Sequence, residues 1–236
     1  MEKFNFGGVS MVKSTTDGKC LFCNKTLGKR ALKTHLNKCK VKQEVDSKNN
    51  EKNSAEKTFL ILAEGKYAID FWMYFEANEK IPLSKVDDFL RQVWLECCGH
   101  LSAFHVGRSE ISMSKKLNSF LKEGSELDYQ YDFGSTTDLK FKVISERIGS
   151  LGKAKIRIDA INNLPEIKCS FCKKDAKFIC PFCFEEEMCD KHVSKHSCAQ
   201  EEGEEAMLPV VNSPRMGVCG YCGPDEGVVE SYYPQK

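Results

Sequence analysis

The sequence predicts an α+β fold: an antiparallel sheet with a packed amphipathic helix, flanked by small zinc-stapled modules. Three observations predict it. Of thirteen cysteines, most in close pairs with histidines nearby, all but Cys97 and Cys98 lie toward the two ends of the chain. The middle carries several stretches of period-two alternation, the signature of half-buried strands. One segment between them repeats its apolar residues at helical spacing.

The bounds come from composition. At 236 residues the chain has room for one ordinary domain and one or two small ones. The 41% hydrophobic fraction suits a folded protein, and no apolar run approaches the roughly 20 residues of a membrane span. Met1-Glu2-Lys3-Phe4-Asn5-Phe6 leads into polar residues with no apolar core of signal-peptide length. The expectation is a soluble, cytoplasmic protein with no membrane partner, in a compartment where thiols stay reduced and serve as metal ligands before disulfides. The net charge of +1 hides an asymmetry. Residues 1–57 hold 13 Lys/Arg against 6 Asp/Glu (+7), residues 58–163 hold 14 against 15 (−1), and residues 164–236 hold 8 against 13 (−5). The basic end is the natural one to meet phosphate.

Residues 1–42 form the first module. Cys20, Cys23, His35 and Cys39 follow C-x2-C-x11-H-x3-C, the spacing of a short C2HC finger in which a β-knuckle supplies two thiolates and a helix supplies two further ligands. His35 and Cys39, four apart, share a helix face, with Leu27 and Leu32 as the small apolar plug. Such a unit is too small to fold without its ion. Lys25, Lys29, Arg30, Lys33, Lys38, Lys40 and Lys42 decorate it, and this favours nucleic-acid contact as much as mere solubility. A lone finger argues for non-specific phosphate or RNA contact over reading of bases in tandem triplets.

Residues 43–57 are polar and aperiodic and read as a linker. The central domain follows over residues 58–163. Thr58 to Ala63 and Tyr67 to Phe75, split by Glu64-Gly65-Lys66, read as a hairpin. Ser84 and Asp87 suggest a capping box, after which Val86, Phe89, Leu90, Val93, Trp94 and Cys97 repeat as one helical stripe up to Gly99. A shorter helix is expected around Lys115 to Leu121. Leu127-Tyr129-Tyr131-Phe133, Leu139-Phe141-Val143 and Ala154-Ile156-Ile158 alternate as strands.

Residues 164–200 carry eight ligands in the order C-x2-C-x7-C-x2-C-x5-C-x2-H-x3-H-x-C. The economical assignment is a binuclear cross-brace: Cys169, Cys172, Cys189 and His192 on one ion, Cys180, Cys183, His196 and Cys198 on the other. A sequential pairing is the alternative that spacing leaves open. The ligand order resembles the cross-braced finger of the A-N-one type and, less closely, the B-box. That resemblance implies a protein-interaction module. The exposed run Glu185-Glu186-Glu187 argues against a grip on phosphate. Residues 201–236 form a tail whose apolar Met207-Leu208-Pro209-Val210-Val211 suggests packing back on the core.

Four cysteines remain: Cys97, Cys98, Cys219 and Cys222. A fourth ion on these four is an alternative. Adjacent cysteines at a helix end are awkward ligands and Cys97 lies on the apolar stripe, so the reading favours a buried thiol there and three Zn2+ ions in all.

The central domain resembles the plasmid pRiA4b ORF-3-like family. The likeness rests on Trp94-Leu95-Glu96-Cys97-Cys98-Gly99-His100-Leu101-Ser102-Ala103-Phe104 and on Leu127-Asp128-Tyr129-Gln130-Tyr131-Asp132-Phe133-Gly134, within roughly residues 57–160. It implies an α+β fold and an association with plasmids and insertion elements, and no reaction. Where that family's second motif continues into an acidic residue, a tryptophan and a histidine, this chain reads Ser135-Thr136-Thr137-Asp138. His100, His105, Asp132 and Asp138 are the polar residues to watch, yet the sequence offers no nucleophile–base pair, no phosphate-cradling loop and no small-molecule substrate site. The expectation is a non-catalytic protein. Its basic finger contacts nucleic acid or a ribonucleoprotein and its acidic module contacts protein. The alternatives are a pure protein-interaction adaptor and a mobile-element accessory protein with an enzymatic activity.

Overall fold

The computed structural model describes residues 16–52, 56–183 and 186–235. Its frame is an antiparallel sheet built from β1 (Asp17–Cys20), β2 (Thr26–Gly28), β3 (Glu56–Gly65), β4 (Trp72–Asn78), β5 (Ser102–Val106), β6 (Ser109–Ile111), β7 (Glu126–Tyr131), β8 (Thr137–Gly149) and β9 (Ile156–Asn162). The spatial order is β2-β1-β9-β4-β3-β8-β7-β5-β6. Successive strand residues point to opposite faces, so β3 and β4 serve two cores at once. Phe59, Ile61, Met73 and Phe75 meet the helical layer, while Leu60, Trp72 and Tyr74 meet the finger.

The helical layer is α3 (Leu83–Leu90), which widens into a π-helical turn over Arg91–Leu95. Val86, Phe89, Leu90, Val93 and Trp94 are buried as the stripe predicts, each large side chain contributing about 2 kcal/mol or more. The helix nevertheless stops short of Cys97. Glu96 turns extended and its carboxylate accepts the Gly99 N–H, so Cys97 and Cys98 lie on a loop. The capping box is also corrected. The N-cap is Pro82 with no side-chain cap. The first orphan donors go instead to backbone, Leu83 N–H to Lys115 O at 3.0 Å and Ser84 N–H to Met113 O at 2.8 Å. Asp87 is thereby free to accept from Arg91 Nε, Ser102 Oγ and Tyr129 OH at 2.6–2.7 Å. The expected helix near Lys115 shrinks to a 3-10 turn, Leu117–Ser119. The first hairpin has a wider connection than Glu64-Gly65-Lys66, pairing Glu64 with Trp72.

Two boundaries read from the sequence are redrawn. The finger is not a free unit, because β1 pairs with β9 (Gly18↔Asn162, Cys20↔Ala160) and extends the central sheet. Gly18 permits this: a Cβ there would lie 2.3 Å from the Trp72 ring. The segment read as a linker, residues 43–57, is helical over 43–52 and already part of β3 at Glu56. After α1 (Lys29–Leu36), α2 (Lys40–Lys52) packs across the sheet; residues 53–55 lie outside the described residues. The cause is charge: Lys42, Asp46, Glu76, Arg147, Arg157 and Asp159 interlock in one network, four of them under 7% exposed. A buried charge must be paired, and α2 supplies two members of the network.

The C-terminal module holds a small sheet, β10 (Phe178–Ile179) between β11 (Glu187–Met188) and β12 (Leu208–Pro209), with short helices α4 (Asp190–Val193) and α5 (Ser197–Glu202). The Met207–Val211 stretch therefore pairs with this module. Beyond it the chain returns to the central domain. Ser213, Arg215 and Tyr221 are buried, Ser213 Oγ donates to Trp94 O at 2.6 Å, and after α6 (Val228–Ser231) the Tyr232 ring lies 4.8 Å from Phe89. No helix among the described residues is long and apolar enough to cross a membrane.

Candidate metal centres

The finger site is assembled by a knuckle and a helix break. Residues 20–25 turn back on themselves through Cys20 N–H to Lys25 O (3.0 Å), with Asn24 in the left-handed region, φ 61°. This brings Cys20 and Cys23 to one point. His35 comes from α1. Cys39 lies in the break between α1 and α2 rather than on a continuing helix, and the break lets its buried thiol face inward. Cys20 Sγ is 4.0 Å from Cys39 Sγ and Cys23 Sγ is 3.2 Å from His35 Nε2. Burial drives the Cys20 thiol up to about 12, and a cation held against it would favour the thiolate. Leu32 is buried and Leu27 half-buried, as a plug requires.

The C-terminal ligands separate into two groups, Cys169, Cys172, Cys189 and His192, and Cys180, Cys183, His196 and Cys198. This is the interleaved pairing, not the sequential one. The pairs 169/172 and 180/183 flank β10 along the chain, and after β11 the starts of α4 and α5 deliver the third and fourth ligands. In the first group Cys169 Sγ and Cys189 Sγ lie 3.3 and 3.4 Å from His192 Nδ1, and Cys172 Sγ lies 3.8 Å from Cys189 Sγ. In the second, Cys183 Sγ is 3.3 Å from His196 Nε2. Burial would raise the Cys169 and Cys180 thiols, but it is outweighed. Backbone N–H groups of Cys189 and Phe171 hold Cys169 at about 6, and those of Cys183 and Phe182 hold Cys180 at about 7.

The donor chemistry and the distances fit zinc. A tetrahedral ion with Zn–S near 2.3 Å and Zn–N near 2.0–2.1 Å sets S–S edges of about 3.8 Å and S–N edges of about 3.5 Å. His196 Nδ1 lies 3.1 Å from Glu186 Oε2, the carboxylate partner that fixes a ligand histidine's tautomer and orientation. Glu187 accepts from Ser170 Oγ. The acidic run is therefore partly internal to the module, not a free exposed face; Glu185 lies outside the described residues.

Of the basic residues, Lys25, Arg30, Lys33, Lys38 and Lys40 are exposed and make no ion pair among the described residues. Lys29 differs: its ammonium donates to Glu64 Oε2 at 2.7 Å. Lys42 is buried in the charge network. His105 and Asp138 sit apart on β5 and β8, and Asp138 accepts from Gln130 Nε2.

The leftover cysteines do not form the set that elimination suggests. Cys97, Cys98 and Cys219 converge, but Cys222 stays outside them, its Sγ 3.4 Å from Gly220 O, and His100 takes the fourth place. Elimination among cysteines passes over His100, which the sequence places just beyond the stripe that ends at Gly99. The usable signal was its spacing, Cys97-Cys98-x-His100 on a loop. Among the described residues, then, four Cys/His groups bring their ligand atoms within 4.8 Å of one another.

No protein-family model matches the sequence, and no curated protein matches it. Among solved structures, the crystal structure of a protein of unknown function from Methanosarcina mazei Go1 is similar over 45% of this chain and 69% of its own, with 20% identity and a TM-score of 0.40.

Proposed function

We propose that the chain is a non-catalytic, zinc-scaffolded binding protein whose finger contacts the phosphate backbone of a nucleic acid or ribonucleoprotein and whose C-terminal module contacts protein. The observation that carries the first half is the partition of the finger's basic residues. Lys29 and Lys42 are consumed by internal acids, whereas Lys25, Arg30, Lys33, Lys38 and Lys40 stand exposed and unpaired among the described residues. Five solvated cations on a fold-locked knuckle and helix suit a polyanion, whose binding gains free energy from released counterions. The non-catalytic reading rests on ligand number. Each group offers four donors, which fill a tetrahedral zinc and leave no position for water or substrate.

The second half is supported by Phe171 and Phe182, which follow Cys169 and precede Cys183 in the two knuckles. Both remain about half exposed, at 50% and 46%. Exposed aromatic side chains on a rigid support are common anchors of protein interfaces.

The test uses the zinc-loaded full chain, since the finger shares a sheet and a core with the central domain. Binding to single-stranded RNA and duplex DNA is followed by fluorescence anisotropy across a salt series. For four or five phosphate contacts, affinity falls on the order of a hundredfold between about 50 and 200 mM salt. Replacing Lys25, Arg30, Lys33, Lys38 and Lys40 together by Gln flattens that slope and removes most of the affinity. No binding at low salt, or an unchanged slope in the variant, leaves the pure adaptor. In that case partners crosslinked in cells survive nuclease treatment and are lost when Phe171 and Phe182 are replaced by Ser.

A further inference from the structure

We propose that Cys97, Cys98, His100 and Cys219 hold a fourth zinc ion, and that this ion clamps the segment 213–222 onto the central domain. The inference is independent of what the finger binds.

The first ground is geometry. Cys98 Sγ is 3.6 Å from both Cys97 Sγ and Cys219 Sγ, and His100 Nε2 is 3.1 Å from Cys98 Sγ and 3.2 Å from Cys219 Sγ. These edges match those of the finger and cross-brace groups, 3.8–4.0 Å between sulfurs and 3.2–3.4 Å from sulfur to nitrogen, to within a few tenths of an ångström. The second ground is the outer shell. His100 Nδ1 faces Asp132 Oδ1 at 3.6 Å, a longer version of the carboxylate placement that Glu186 gives His196, and this orientation leaves the Nε2 lone pair to face the ion among the thiols. Asp132 is held in the left-handed region, φ 65°. Its other oxygen accepts from Arg215 at 2.8 Å.

The third ground is Arg215. Its side chain is completely buried, and Nε and one Nη donate toward Cys97 Sγ at 3.4 Å. A buried guanidinium asks for anionic acceptors, and a metal-bound thiolate is one. Three thiolates and a neutral imidazole around Zn2+ carry a formal charge of −1, and Arg215 lies between this charge and that of Asp132. The fourth ground is strain at the ligand that comes from afar. Cys219, 119 residues along the chain from His100, holds φ 51°. A non-glycine residue keeps such a conformation where its surroundings fix it. The site closes a loop from the end of the helical layer to the tail, whose other anchors are Ser213 and Tyr221.

The same atoms could be read as a Cys98–His100–Asp132 triad. Cys97 and Cys219 argue otherwise, because a nucleophile gains nothing from two further thiols packed against it.

The experiment is metal counting on the purified full chain by elemental analysis, with alkylation by iodoacetamide as second readout. Wild type carries four zinc equivalents. Cys219→Ser and, at an exposed position, Cys98→Ser each carry three, while Cys222→Ser keeps four. The other three groups share no residue with this one, so the loss of a single equivalent reads this site alone. Cys98, though exposed, resists alkylation in the loaded protein and reacts after chelation. Three equivalents in wild type, four in both Cys219→Ser and Cys98→Ser, a loss in Cys222→Ser, or rapid alkylation of Cys98 with four zinc ions bound each overturns the proposal.

Discussion

Glu76 shows how much a single side chain settles. It is 2% exposed, and its carboxylate accepts from Lys42 at 2.7 Å, from Arg147 at 3.0 Å and from Arg157 at 3.2 Å. Burial by itself would raise its pKa. The surrounding cations, Lys42 foremost, outweigh burial and hold it at about 2. A carboxylate whose folded pKa is depressed stabilises the fold above its unfolded pKa, near 4.5, and that contribution is lost as pH falls toward 2. Glu76→Gln should therefore destabilise the protein by about 3–5 kcal/mol at neutral pH, and the gap from wild type should narrow below about pH 4.5. Thermal midpoints at pH 7 and pH 4 check it; a gap that is constant with pH refutes it. Gly18 is the steric counterpart. Alanine there drives a methyl into Trp72, so Gly18→Ala should cost about 1–3 kcal/mol, read in chemical denaturation.

At the level of elements, α2 decides whether the finger is tethered or built in. Its sequence, Lys40–Lys52, offers only Val41 and Val45 as an apolar face, too short a period to mark a packed helix. Lys42 and Asp46, four apart on one face, dock into the acids and guanidinium groups of β4, β8 and β9. Val45→Pro separates the readings: a linker tolerates it, whereas an interior helix position loses about 3 kcal/mol or more. Equilibrium unfolding of the zinc-loaded chain gives the answer, and wild-type stability in the variant sinks the helix. The π-helical turn over Arg91–Leu95 is the other decisive element. It ends the helical layer early and frees Cys97, Cys98 and His100 to turn toward Cys219.

Across the whole molecule, the central sheet owns a large apolar core, from Phe59 and Phe75 to Trp94, Tyr129 and Phe141, against which Cys97 alone of the candidate ligands packs. The C-terminal module has only a handful of buried apolar residues, so it is the part whose folding would depend on bound ions. Stripping zinc with excess chelator should leave amide-exchange protection on β3, β4 and β8 and abolish it over residues 169–198. Uniform loss along the chain would mean that the modules and the sheet fold as one metal-dependent unit.

The sequence by itself determined the α+β class, the apolar stripe of α3 and the groups of Cys and His at each end, because strand alternation, helical period and ligand spacing are local properties that neighbours in the chain express. The interleaving of 169/172 with 189/192 was the economical assignment, but spacing left the sequential pairing open and the fold decided between them. Tertiary structure alone decided the rest. It placed Cys20 beside Ala160 by pairing β1 with β9, turned a polar stretch into a buried ionic layer, and exchanged Cys222 for His100. Each of those outcomes joins residues 34 to 140 positions apart. Such meetings follow from which faces of the sheet remain to be covered and which buried charges remain to be balanced, and spacing along the chain carries neither quantity.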